Sequence, residues 1–182
     1  RCLAAGLEDI GYKAGDVAIS DVPNIAENLL LQVALSHLGA AICTPPKDAA
    51  ALDKLVSAGH TIRGSICVDG AAPPGIVDEI APSKALPLAY LSLADGVRPP
   101  SGSVALEEFL THCPPRGTAP AAVEGATLGI FGGAKLTHGD ALALGASAAR
   151  TLGMSERDRI CCSVTLMHAF GIGSACTSAL VS

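Results

Sequence analysis

The sequence predicts an α/β chain, a parallel sheet flanked by helices, and three observations predict it. Short apolar runs alternate with amphipathic segments of helical length. The joints between them carry capping residues, glycines and prolines. A hydrophobic content of 49% supplies enough apolar side chain for the core of one unit spanning all 182 residues.

Asp16-Val-Ala-Ile-Ser20 follows Gly15 and reads as the first strand. Pro23-Asn24 breaks it, and Ile25, Leu29, Val33 and Leu38 then recur at near-helical spacing up to Gly39. Asn24 is the expected N-cap, with Glu27 three residues later as the second half of a capping box. Residues 40–43 form the next apolar run, closed by Pro45-Pro46. A helix of about 13 residues between two strands is the size of a right-handed crossover, which makes the sheet parallel. Asp48 then caps a helix running to Ala58, Gly59 ends it, and 62–68 contains another strand before an Asp69-Gly70 turn.

Most of the 12 prolines fall between 71 and 120, a segment expected to wrap the surface around a strand in 86–93 and a helix from about Val104 to Thr111. Residues 126–131 resume the strand pattern, 137–152 reads as a helix stopped by Gly153, and 159–166 reads as a strand. Its partner helix is expected to begin near Phe170.

Charge and cysteine content exclude several classes. With 12 Lys and Arg against 17 Asp and Glu, the net charge is −5 and no basic run occurs, so a nucleic-acid surface is not expected. The longest apolar stretch, Leu29 to Cys43, is interrupted by Gln32, Ser36 and His37 and is shorter than the roughly 20 residues a bilayer needs, so no transmembrane segment is expected. Seven cysteines are an odd number without a Cys-x-x-Cys pair, which argues against a disulfide scaffold or zinc ribbon. Cys43, Cys67, Cys161 and Cys162 fall in strand-like runs, as small buried hydrophobes in a reducing interior would. The chain opens on Arg1 rather than Met, from which an upstream segment is expected to have been removed.

Gly15-Asp16-Val-Ala-Ile-Ser-Asp-Val-Pro-Asn24, then Glu27 and Leu38-Gly39-Ala40, resembles the opening of the adenylate-forming, AMP-binding acyl-CoA synthetase family. Leu136-Thr-His-Gly-Asp140 resembles that family's "LTHxN" helix start, with Asp140 in place of Asn. Asp158-Arg159 and Leu166-Met-His-Ala-Phe-Gly171 resemble its "DR…PLxHxxG" strand and turn, with Thr165 in place of Pro. The resemblance implies the first portion of the family's large N-terminal domain. In an intact member it implies adenylation of a carboxylate, with release of pyrophosphate, followed by acyl transfer to coenzyme A.

That chemistry uses a flexible loop of the form "TSGTTGxPKG", whose N–H groups and hydroxyls hold the triphosphate. Here Phe131-Gly132-Gly133-Ala134-Lys135 stands in its place, roughly seven residues short by that motif and without a Ser or Thr. Gly132, Gly133 and Lys135 read either as a vestigial anion site at the following helix start or as a tight strand-to-helix turn. His168 matches the family histidine near the acyl pocket and reads as a vestigial pocket residue or as a buried, hydrogen-bonded histidine at a strand end. His138 reads as a helix-start residue beside the Thr137 cap.

His37, His60 and His112 are scattered without metal-ligand spacing. Cys161, Cys162 and Ser174 have no local motif supplying a base, and Glu107-Glu108 reads as the solvated face of a short helix. No catalytic residue, metal or cofactor is assigned. The expected function is that of a truncated, catalytically inactive acyl-CoA synthetase relative serving as an accessory subunit beside other protein subunits of a larger assembly. A mitochondrial respiratory-chain or ATP synthase complex is the favoured setting, with cytosol and peroxisome as alternatives. The competing readings are a fragment or split half of a working ligase and a non-catalytic acyl-CoA or lipid-binding module.

Overall fold

A computed structural model describes residues 2–20, 22–68, 89–91, 104–105 and 125–182. Its elements are α1 (Cys2–Asp9), β1 (Asp16–Ser20), α2 (Ala26–His37), β2 (Ala41–Cys43), α3 (Ala49–Ser57), β3 (Thr61–Val68), β4 (Ala89–Leu91) and β5 (Val104–Ala105). They continue with β6 (Thr127–Phe131), β7 (Ala134–Thr137), α4 (His138–Leu152), a π-helix (Phe170–Cys176) and α5 (Thr177–Val181). The strands form one sheet in the order β5-β4-β3-β1-β2-β6-β7. All neighbours are parallel except β6 and β7, which form an antiparallel hairpin.

The central strands are short apolar runs because both faces of the sheet are covered. Every residue of β1 and β2 is buried. On one face Ala18, Ile42 and Phe131 pack with Leu31 and Leu35 of α2, Ala141 of α4 and Leu7 of α1. On the other, Val17, Ile19, Cys43 and Ile130 pack under Leu52 and Leu55 of α3. A register shift between Thr127 and Gly129 interrupts the alternation in β6, so Leu128 and Phe131 join the α2 side while Ile130 joins the α3 side. Gly129 lies under the Phe131 ring, where a Cβ would come within 2.8 Å of Cε2.

The Gly15-Asp16 pair serves architecture. Gly15 holds φ +86°, and its N–H donates to the carbonyl of Gly39 at 2.9 Å, tying the start of β1 to the end of α2. Asp16 is 1% exposed, yet its carboxylate accepts from Arg63 Nε at 2.9 Å, Arg63 Nη2 at 3.3 Å and the Lys13 N–H at 2.9 Å. Those bonds offset the desolvation of the buried charge.

Several expectations are corrected. Asn24 does not cap α2; the N-cap is Ile25 without a side-chain bond, and the Asn24 amide instead reaches across to residues 162–166. Residues 159–166 are not a strand. They hang on the side-chain amides of Asn24 and Gln32 rather than on a ladder, so Cys161 and Cys162 are not strand residues either, and Cys161 is exposed. Val104–Ala105, expected to begin a helix, is strand β5. The remainder of that helix, with Glu107-Glu108, and most of 71–120 lie outside the described residues. The partner structure near Phe170 begins as a π-helix rather than an α-helix.

By contrast, Asp48 caps α3, accepting from the Ala51 N–H at 2.8 Å, and Gly153 closes α4 in the left-handed conformation. Among the described residues no helix is long and apolar enough to cross a membrane.

Candidate functional site

The segment between β6 and α4 is a two-residue β-hairpin. Gly132 (φ +58°) and Gly133 (φ +85°) both take positive φ, as the turn that matches strand twist demands, and Phe131 pairs with Ala134 across it. The Gly132 N–H donates to Thr44 Oγ1 at 3.0 Å, tying the turn to the end of β2. The expected strand-to-helix turn is thus corrected to strand, hairpin turn, strand, with β7 leading directly into α4. Leu136 of β7 is buried on the α2 side, so alternation sends Lys135 to the opposite, α3 side. Gly132, Gly133 and Lys135 are all exposed. They do not sit at the helix N-terminus: Gly132 and Gly133 form the hairpin turn before β7, and Lys135 is a residue of β7 itself.

That N-terminus is closed by its own side chains. Thr137 Oγ1 accepts from the Asp140 N–H at 3.1 Å, and Asp140 Oδ2 accepts from the Thr137 N–H at 3.1 Å and its hydroxyl at 2.6 Å. The bond from the Thr137 side chain, then that from its backbone, holds the Asp140 carboxyl below the usual carboxylate range. The capping box thus engages the Thr137 and Asp140 N–H groups, and the His138 N–H donates to the Ala126 carbonyl at 3.0 Å. His138, the first residue of α4, lies 2.8 Å from Ser36 Oγ, and partial burial lowers its pKa, so the neutral imidazole links α4 to α2.

His168 is exposed rather than buried, and it is not at a strand end. Its Nδ1 accepts from the Phe170 N–H at 3.1 Å, starting the π-helix. Backbone packs tightly here, since a Cβ on Gly171 would run into the Thr165 carbonyl. Ser174 lines an apolar groove of about 710 Å³ with Leu144, Leu152 and Phe170, and among the described residues no histidine shares it. Asp158, in the same groove, accepts from Ser155 at 2.7 Å (N–H) and 3.0 Å (hydroxyl). Among the described residues no cluster of His, Cys, Asp and Glu could hold a metal. His112 lies outside them.

Two features escaped sequence reasoning. The first is an amide ladder at Asn24, Asn28 and Gln32. Asn28 Nδ2 donates to the Val22 carbonyl at 2.7 Å and to the Pro23 carbonyl at 3.1 Å, and Gln32 Nε2 donates to Asn28 Oδ1 at 2.8 Å and to the Leu166 carbonyl at 3.0 Å. Asn24 Nδ2 donates to the Val164 carbonyl at 2.8 Å and Oδ1 accepts from the Leu166 N–H at 2.7 Å. The signal was present as three amides at i, i+4 and i+8 on one stripe of the α2 segment. The second is a cavity of about 440 Å³ beside the hairpin, whose lining includes Lys47 and Lys54 as well as Lys135.

No protein-family profile and no curated protein sequence matches the chain. Solved structures do. A long-chain-fatty-acid-CoA ligase from Archaeoglobus fulgidus superposes with TM-score 0.71 at 17% identity, over 99% of this chain and 36% of that one. MatB from Rhodopseudomonas palustris gives TM-score 0.72 at 16% identity, over 99% and 35%. O-succinylbenzoate coenzyme A synthetase from Bacillus subtilis, solved with ATP and magnesium, gives 0.66 at 18%, over 98% and 46%.

The chain has the acyl-CoA ligase fold. It spans about a third to a half of the length of these structures and corresponds to the α/β fold of the acyl-CoA synthetase N-terminal domain. Within that fold, the Gly15-Asp16 start, the Thr137-His138 helix start and the Leu166–Gly171 turn are all architectural joints here. They hold, in turn, the β1–α2 corner, α4 against α2, and the entry to the π-helix.

Proposed function

We propose that this chain is a catalytically inactive relative of the acyl-CoA ligases with an accessory, structural role. The observation that carries the proposal is the Gly132-Gly133 hairpin. Adenylation needs donors arranged around a triphosphate as negative charge builds on the leaving pyrophosphate. A two-residue turn has no room for such a loop and contributes no hydroxyl. Its Gly132 N–H is already committed to Thr44, and the Thr137 and Asp140 N–H groups at the start of α4 are committed to their own capping box.

Apolar side chains left in solvent support the accessory part of the reading. Leu30 and Val33 on α2, and Leu142, Leu144 and Leu152 on α4, are 41–72% exposed on helices of the same sheet face. Large apolar side chains exposed on one sheet face are the kind of surface a protein partner covers. We place the chain beside other protein subunits of a larger assembly, with a mitochondrial complex as the setting. Native electrophoresis of gently solubilised source material, with mass spectrometry of co-migrating chains, tests this. Migration within a defined large complex supports it, and migration as a free species, or with one ligase-like chain, overturns it. Equilibrium dialysis against Mg·ATP tests the inactive part, which predicts no site dependent on Thr137 or His138.

A further inference from the structure

We propose that residues 159–163 form an open pairing edge at which two copies of this chain dock, antiparallel, about a two-fold axis at Cys161. On its other side the same segment is held with period two. The carbonyls of Cys162 and Val164 accept from Asn24 Nδ2 at 3.4 and 2.8 Å, the Leu166 N–H donates to Asn24 Oδ1 at 2.7 Å, and the Leu166 carbonyl accepts from Gln32 Nε2 at 3.0 Å. Extended backbone turns the polar groups of successive residues to opposite edges. Residues 162, 164 and 166 therefore face the two amides, and the backbone groups of Arg159, Cys161 and Ser163 face away. Burial follows the same alternation: Cys162 and Val164 are half-buried and Leu166 is buried, while Cys161, Ser163 and Thr165 are exposed.

Among the described residues, nothing bonds the N–H or carbonyl groups of Arg159, Cys161 and Ser163. A row of bare donors and acceptors along an extended apolar run is a template for another strand. The occupant is a second copy because the segment is complementary to itself. With Cys161 opposite Cys161 of the second copy, the two exchange both N–H···O bonds, and Arg159 and Ser163 exchange theirs on either side. This register sets Arg159 against a serine, whereas pairing centred on Arg159 would set two arginines face to face. Ile160 then lies opposite Cys162 of the second copy, so apolar side chains meet. Ile160 also lines the groove of about 710 Å³ with Leu152 and Phe170, 72% and 55% exposed, which adds apolar surface beside the edge. The pairing runs through backbone and stands whether or not the chain is catalytically inactive.

Sedimentation velocity of the full chain over a concentration series tests the pairing. A reversible monomer–dimer equilibrium, with dimer evident below about 0.1 mM, is the expected result. Ser163→Pro removes an N–H that is unbonded in the single chain, so it should weaken the dimer at least about tenfold and leave Tm unchanged. Ser163→Ala keeps that N–H and should leave the dimer intact. Amide hydrogen exchange of the unmutated chain gives a second readout: the Cys161 and Ser163 amides should gain protection as concentration rises. The proposal is overturned by a monomer at every concentration up to about 0.1 mM, by dimerisation equally strong in Ser163→Pro, or by protection gained only elsewhere. A chain that is monomeric when pure but protected at 159–163 within a native complex would give the edge to another subunit and overturn the second copy as its occupant.

Discussion

Replacing Asn28 by alanine should cost more stability than any surface change on α2. Asn28 is fully buried, and its amide closes three bonds: to the Val22 carbonyl at 2.7 Å, to the Pro23 carbonyl at 3.1 Å, and from Gln32 Nε2 at 2.8 Å. Each such bond has a net worth of about 1 kcal/mol, and an acceptor left buried and unpaired costs about 1–3 kcal/mol more. The Pro23 carbonyl keeps a second partner in the Ile25 N–H at 2.8 Å, so the main orphan is Val22. The expected loss is therefore about 2–4 kcal/mol.

Urea unfolding of the purified chain, followed by circular dichroism, should show a lowered midpoint with an unchanged m-value. Gln32→Ala shares one of the three bonds, so the double variant should lose less than the sum of the two single variants. A loss below about 0.5 kcal/mol, or strict additivity within about 0.3 kcal/mol, would refute the ladder as the element that docks residues 162–167.

Acid stability should depend on Asp140. Its carboxyl is held below the usual range in the folded chain, so its contribution is complete above the unfolded value of about 3.9 and is lost as pH falls through the folded value. Asp140→Asn should therefore flatten the acid limb of a stability-against-pH curve below about pH 4, and an unchanged limb would count against it. At Gly145, a Cβ would lie 2.7 Å from the Thr177 carbonyl carbon, where α4 crosses α5. Gly145→Ala should thus lower Tm by a few degrees, although alanine favours a helix by about 1 kcal/mol; a rise in Tm would contradict the tight crossing. Burial pushes the Cys43 thiol up to about 11 while Cys161 is exposed, so a thiol-reactive dye at pH 8 should label Cys161 before Cys43, and Cys43 only on unfolding.

Much of the fold was legible because local chemistry and tertiary role agree. Asp48, Thr137 and Gly153 cap helices as their types predict, and the apolar runs at 16–20, 41–43 and 127–131 are doubly covered strands. The failures lie where tertiary partners compete for a side chain. Asn24 has the chemistry of an N-cap, but the carbonyl of Val164 and the N–H of Leu166 claim it. Residues 159–166 carry a strand pattern, yet they join no strand of the sheet, and the side-chain amides of Asn24 and Gln32 hold their backbone instead.

The same hairpin explains the candidate site. Two glycines followed by Ala-Lys-Leu-Thr are compatible with a turn into either a strand or a helix, and only pairing with 127–131 decides for the strand. Lys47 and Lys54 gave no signal along the sequence because they line one cavity with Lys135 only once α3 covers the sheet and β2 pairs with β6.

The most direct test of the central claim is ATP–pyrophosphate exchange by the native protein, offered a panel of short- and long-chain carboxylates. The hairpin predicts no exchange above background with any of them. Exchange that depends on an added carboxylate and falls in Lys135→Ala would contradict it, because the turn would then be holding a reacting triphosphate.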